Sequence, residues 1–202
     1  MATIFPRILG VALAVVALAG LPAVAAPTLG VSRSTGPVVV DGELQEDAWR
    51  RAVASTDFRV LGSDQAARRR TAIRCLYDAE ALYLGIACDL PAGTATALEA
   101  GMARDRDGAV CGDECVEIYL APKPRGYVHL AVNLAGVLYD AKAMDKTWNG
   151  DWTAAVSRTA EAWVVEVRVP WAALDSAGAP VPGQEWSFNI ARNDRLHRQY
   201  AT

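Results

Sequence analysis

From residue 71 onward, apolar and polar residues alternate with a period of two, the spacing that sends successive side chains to opposite faces of a strand. Ile73, Cys75 and Tyr77 share one face, and after the turn Asp78-Ala79-Glu80 the apolar run over residues 82–88 completes a hairpin. Val116, Ile118 and Leu120 oppose Glu117 and Tyr119, while Val128, Leu130 and Val132 oppose Tyr127, His129 and Asn133. Trp163, Val165, Val167 and Val169 face away from Glu166 and Arg168, as Trp186, Phe188 and Ile190 face away from Ser187 and Asn189. With residues 38–40, 58–60, 137–141 and 154–157 added, the pattern predicts about nine or ten short strands, each apolar on one face only. Helical signals are confined to a turn at residues 46–52 and a short helix at residues 171–174. Strands of this kind bury their apolar faces by stacking two sheets, so the expected fold class is all-β, an immunoglobulin-like antiparallel β-sandwich. Two long polar connections, residues 89–114 and 142–152, have the length that compact domains reserve for function.

Composition narrows the class further. A chain of 202 residues that is 52% hydrophobic and 21% charged has enough apolar surface for one globular domain, which excludes a disordered tail or a coiled coil. The net charge of −3, with Arg68, Arg69 and Arg70 as the one basic cluster, argues against a nucleic-acid partner. At the N-terminus, Arg7 precedes an apolar run over residues 8–21, and Ala23-Val24-Ala25 supplies small residues for cleavage. Pro22 ends the run short of a membrane span, so residues 1–25 read as a signal peptide of a secreted or periplasmic protein, with the domain over residues 30–202. No Cys follows the apolar run, so a lipoprotein is not indicated.

An exported chain with four Cys points to two disulfides before it points to metal or catalysis. Cys88 ends one strand pattern and Cys115 opens the next, which favours Cys88–Cys115 with Cys75–Cys111. A tight Cys111–Cys115 bond with Cys75–Cys88 is the competing arrangement.

Five segments in order carry a family resemblance: Val40-Asp41-Gly42-Glu43-Leu44 with Asp47-Ala48-Trp49; residues 77–83; residues 113–120, Asp-Glu-Cys-Val-Glu-Ile-Tyr-Leu; residues 163–171; and residues 186–193, Trp-Ser-Phe-Asn-Ile-Ala-Arg-Asn. Together they resemble the family 9 carbohydrate-binding modules and their wider secreted relatives, β-sandwiches often attached to polysaccharide-degrading enzymes. The variant that pairs a Cys before the long loop with the one in Asp-Glu-Cys-Val-Glu, and carries Trp148-Asn149-Gly150-Asp151-Trp152, is the most similar. The resemblance implies a sugar slot with an aromatic wall just before the Val-Glu-Ile-Tyr strand and an arginine two residues before Asn133. Cys111 and Ala131 stand at those positions here. It also implies a final strand and a second slot aromatic beyond Arg192-Asn193, so a chain ending at Thr202 is expected to miss the C-terminal strand.

The candidate ligand contacts are Trp148 and Trp152, as indoles for stacking on a pyranose ring, with Asn133, Asp113, Glu114 and Arg192 as polar partners. The oxygen-rich turn Asp105-Arg106-Asp107-Gly108 offers Asp105 and Asp107 to a calcium ion, although its spacing is not that of an EF-hand. Trp49, Trp163 and Trp186 fall on faces that match core packing. No carboxylate pair or Gly-x-Ser-x-Gly segment marks a hydrolase centre, so the expected function is non-catalytic binding of a glycan or polysaccharide, with any linked catalytic domain supplied elsewhere. The alternatives are a b-type haem sandwich drawing axial ligands from Met144, Lys146, His129 and Met102, or a cell-surface scaffold or adhesion module.

Overall fold

A computed structural model of the chain describes residues 28–99, 101–122 and 126–202. The segment read as a signal peptide, residues 1–25, lies outside the described residues.

Among the described residues, ten strands form two five-stranded sheets. The first runs β1 (Ser32–Arg33), β2 (Thr71–Tyr77), β3 (Ala81–Asp89), β8 (Ala162–Pro170) and β7 (Thr153–Arg158). The second runs β10 (Gln199–Ala201), β9 (Ser187–Asp194), β4 (Cys115–Ala121), β5 (Val128–Asn133) and β6 (Leu138–Lys142). Among the described residues all ladders are antiparallel except the two-residue pairing of β1 with β2. The expected β-sandwich is therefore what the chain forms. After Asn193 the backbone turns back as β10, pairing Tyr200 with Asn193 and Ala201 with Arg192.

Between the sheets lie the residues that the alternation assigned to the core: Leu82, Leu84, Ile86 and Cys88 of β3, Val116, Ile118 and Leu120 of β4, Val128, Leu130 and Val132 of β5, and Trp163, Val165, Val167 and Val169 of β8. Trp163 is fully buried there. Trp186 is half-buried and meets Trp171 edge-on, with ring centres 5.8 Å apart.

The first sheet departs from the one-sided expectation, because β2, β3 and β8 are buried on both faces. The outer face holds Leu76, Ala81 and Tyr83, and it is covered by Val38, Val40, Leu44 and the short helix α1 (Asp47–Arg51) with Trp49. Residues 38–40, expected as a strand, form no ladder because they serve as part of this cover, and residues 58–60 contribute only isolated bridges. Glu166, on the outer face of β8, holds the cover down. Its Oε1 accepts the Trp49 indole N–H at 2.9 Å, and its Oε2 accepts the backbone N–H groups of Asp41 at 3.0 Å and Gly42 at 3.1 Å. Gly42 is required at that point. Its φ is +88°, and a Cβ there would lie 2.8 Å from the backbone nitrogen of Ser157 and 2.9 Å from the carbonyl carbon of Val156, neither of which can move aside.

No helix among the described residues is long and apolar enough to cross a membrane.

Candidate functional site

The long connection, residues 89–114, carries the helix α2 (Ala95–Glu99) and a 3-10 turn, Val110–Gly112, that packs over β4, β5 and β6. Two polar knots hold it. Asn133, fully buried, donates to Asp113 Oδ2 at 2.9 Å and to the Ala103 carbonyl, while its own Oδ1 accepts the backbone N–H groups of Ala135 and Val137. Asp113 Oδ2 also accepts the Ala103 N–H at 2.9 Å. Deeper at the same end, Arg192 and Glu114 form a buried ion pair at 2.8 Å, and Arg192 reaches across to the Asp89 carbonyl of the first sheet at 2.8 Å. Burial pushes the Glu114 carboxyl above its ordinary 4.5 even with Arg192 beside it. The structure thus brings together the four polar residues expected to touch ligand, but each spends its hydrogen-bonding capacity on the loop and on joining the sheets.

The two candidate indoles lie elsewhere, at the edge where β6 meets the core. Trp152 is buried in the core cluster, with its indole N–H donated to Asp140 Oδ2 at 2.6 Å and the Arg106 guanidinium 5.9 Å from its ring centre. Arg106 also bonds Asp140 and donates to Asn149 Oδ1 at 3.0 Å, tying the two long loops together. Trp148 is half-buried against the core, 5.8 Å from Lys142 Nζ, with its ring packed so closely over Gly150 that a Cβ there would collide with it.

Asp107, placed for calcium, instead accepts the backbone N–H of Asp140 at 3.1 Å, while its own N–H goes to the Leu138 carbonyl. The turn therefore caps the edge strand β6. Asp105 and Asp107 meet no third ligand among the described residues, where the one group of three potential metal ligands is Cys111, Glu117 and His129.

The expected disulfides are absent: all four thiols are free. Cys75 and Cys88 point into the core from the first sheet, whereas Cys115 alternates with core residue Val116 and so faces the outer side of the second sheet, beneath Cys111. Stacked sheets stand about 10 Å apart, and a disulfide needs Cα atoms within about 7 Å, so Cys88–Cys115 and Cys75–Cys111 are excluded. Cys75 pairs with Leu84 and Cys88 with Thr71, four positions apart along the same hairpin, which excludes Cys75–Cys88 as well. Of the haem ligand candidates, one lies apart from the rest. Met102 is in the core, Met144 is 83% exposed, and His129 is bonded to Glu117 on the outer face of the second sheet.

That outer face is where aromatic groups gather. Tyr119 stacks on His129 with ring centres 4.2 Å apart, Tyr139 meets His129 edge-on at 5.1 Å, and Tyr127 lies 6.2 Å from Tyr119. All four rings are half-buried. At their centre Glu117 Oε2 accepts the Tyr119 hydroxyl and faces His129 Nε2, each at 2.8 Å. Ala131 and Ala191, opposite Glu117 on the two neighbouring strands, keep the floor low. Cys111 sits above it, its thiol pushed up to about 12 by burial and by Glu117. Sequence reasoning placed His129, Tyr127 and Tyr119 on the polar faces of their strands, with His129 within cross-strand reach of Tyr119 or Glu117, but did not bring in Tyr139. The signal was available in the two adjacent strands whose polar positions carry rings.

Burial alone would raise the Glu117 carboxyl, but hydrogen bonds from His129, Tyr119 and Tyr200 outweigh it and hold it below its ordinary 4.5. A lowered carboxylate contributes stability that is present above pH 4.5 and is lost as the pH falls through the folded-state value. Urea unfolding in steps downward from about pH 5 should therefore show a shallower acid loss for Glu117→Gln than for the wild type. Equal slopes would remove Glu117 from the acid response.

The two-sheet sandwich thus carries, on the outer face of its second sheet, half-buried rings gathered around one carboxylate. The chain belongs to the carbohydrate family 9 binding domain-like family, whose model matches residues 40–201. In structure it is similar to a carbohydrate-binding module of family 9 from Caldicellulosiruptor kristjanssonii in complex with glucose, at 19% identity and a TM-score of 0.57 over 84% of this chain and 82% of that one. The same module with cellotriose gives 19% identity and a TM-score of 0.57, covering 85% and 80% of the two chains. A Bacteroides uniformis protein named as a candidate carbohydrate-binding protein matches with 16% identity and a TM-score of 0.62, covering 85% and 86%. No curated protein sequence matches the chain.

Proposed function

We propose that this protein binds carbohydrate without turning it over, through the outer face of the second sheet. The observation that carries the reading is the family match over residues 40–201. The aromatic face supports its placement. Cys111 and Ala131, the positions to which the resemblance assigns one slot wall and one ligand contact, lie over and within the same face as Glu117, Tyr119, Tyr127 and Tyr139. Half-exposed tyrosine rings offer an apolar surface for a pyranose, with hydroxyls at their rims for its polar edge. The rings replace the indoles of Trp148 and Trp152, which the fold spends on its edge. Export belongs to the same reading and is carried by Arg7, the apolar run of residues 8–21 and the small residues before Pro27.

Calorimetry with cellotriose as the probe tests it. The wild type should bind. Tyr127→Ala, which removes a rim ring without touching the core, should weaken binding by about 1 to 2 kcal/mol, roughly five- to thirtyfold. Incubation should release no new reducing ends. Undetectable binding to cellotriose and other glucans, or an unchanged affinity in Tyr127→Ala, would contradict the placement.

A further inference from the structure

We propose that Cys111, Glu117 and His129 form a site for a divalent first-row transition ion, zinc above all. A thiol sulfur, a carboxylate oxygen and an imidazole nitrogen converge there, all within 4.8 Å of one another. Zinc binds such donors at about 2.0 to 2.3 Å, so a tetrahedral ion holds them roughly 3.3 to 3.8 Å apart, and the trio closes around it with side-chain adjustments alone.

The backbone fixes two of the three donors. Glu117 pairs with Ala131 and Tyr119 with His129, so Glu117 and His129 are diagonal neighbours on adjacent central strands, with only a methyl group opposite the carboxylate. Cys111 comes down from the 3-10 turn that packs over the same strands, and that turn is tied by the Asn193 amide donating to the Cys111 carbonyl at 3.0 Å. The supporting groups are those a metal site needs. Tyr119 stacks on the His129 ring and donates to the Glu117 carboxylate, and Tyr139 fixes the ring from the side. Without an ion, His129 Nε2 and Glu117 Oε2 meet at 2.8 Å through a shared proton, and the ion takes that proton's place.

The donor set selects the metal. One sulfur, one nitrogen and one oxygen suit zinc, whereas calcium takes six to eight oxygens. Three protein donors leave one tetrahedral position for water or a hydroxyl group, the arrangement of an open rather than a closed zinc site. The ion would pin the 3-10 turn to the sheet. The proposal does not rest on the carbohydrate reading, since its donors are defined by geometry alone.

The test uses the purified protein, kept reduced and stripped with a chelator, and titrates it with zinc chloride and separately with cobalt chloride. One zinc should bind per chain and raise the melting temperature. Cobalt should give a thiolate charge-transfer band that is absent in Cys111→Ser and retained in Cys115→Ser. His129→Ala should weaken zinc binding at least tenfold. Cellotriose affinity measured on the same samples reports on sugar binding separately, so failure of one reading is distinguishable from failure of the other. The absence of stoichiometric zinc from the reduced protein would overturn the site, as would a cobalt band that survives in Cys111→Ser. Circular dichroism confirms that each variant is folded, and Cys111→Ser replaces a half-buried thiol with its nearest isostere.

Discussion

Arg192→Met is expected to lower the free energy of unfolding by about 3 to 5 kcal/mol, because it strands the Glu114 carboxylate where water does not reach. Glu114 is fully buried, and among the described residues the one hydrogen bond its carboxylate receives beyond the arginine is from the Arg195 backbone N–H at 3.0 Å. The arginine serves both sheets, since it leaves β9, grips Glu114 at the entrance of β4, and donates to the Asp89 carbonyl at the end of β3. Its loss therefore removes a charge partner and a tie between layers at once. Urea unfolding followed by tryptophan fluorescence measures the cost. The double variant Glu114→Gln/Arg192→Met should recover part of it, since the orphaned charge is the main penalty. Equal stability of the single and double variants would place the effect in packing instead.

The second large effect lies on the opposite face. Glu166→Ala should cost about 2 to 6 kcal/mol, because it leaves two buried donors, the Trp49 indole N–H and the Gly42 amide, without their acceptor, at about 1 to 3 kcal/mol each, and releases the exposed Asp41 amide to water. Burial pushes the Glu166 carboxyl up, and these donors are what offset it. Once they are released, residues 38–52 should detach from the first sheet before the core melts, which amide exchange would show as early loss of protection at Gly42, Trp49 and Ala52. Trp49→Phe, which removes one donor and trims the indole to a phenyl ring, leaves the Asp41 and Gly42 amides bonded to Glu166 and should detach the cover less readily. Global unfolding with no early exchange in residues 38–52 would contradict a separable cover.

These two results rest on the parts of the fold that the alternation of residues did not disclose. Periodicity is a local signal, and it placed Val116, Ile118, Leu120, Trp163, Val165 and Val167 correctly because one sheet face must meet the other. It assigned Glu166 to solvent, as a charged residue opposite valines normally is. The cover that buries it comes from more than 100 residues earlier in the chain, a distance no strand pattern spans. One local clue was present in Gly85, a glycine inside an apolar strand, which marks a close approach. A Cβ there would lie 2.6 Å from a Leu44 methyl.

The candidate site was legible in the same partial way. The segments 113–120 and 127–133 identified the strands that build the outer face, but the choice of ligand residues followed the largest and most polar side chains. Trp152, Asn133, Asp113, Glu114 and Arg192 are buried, where hydrogen-bonding partners within the chain claim them. Loops of that length must satisfy their own backbone, and these side chains do so. Tyr119, Tyr127 and Tyr139, spread over two strands and a turn, become one surface only when the ladders β4–β5 and β5–β6 are in register.

The central claim is that this aromatic face is where carbohydrate binds, and mapping the contact residue by residue tests it most directly. In a titration of the isotopically labelled protein with cellotriose, followed by amide and aromatic chemical shifts, the perturbations should concentrate on Glu117, Tyr119, Tyr127, His129 and Tyr139. They should leave Gly42, Trp49 and Glu166 on the opposite face unmoved. Shifts centred on Trp148 and the 142–152 loop, or on the covered face of the first sheet, would contradict the account.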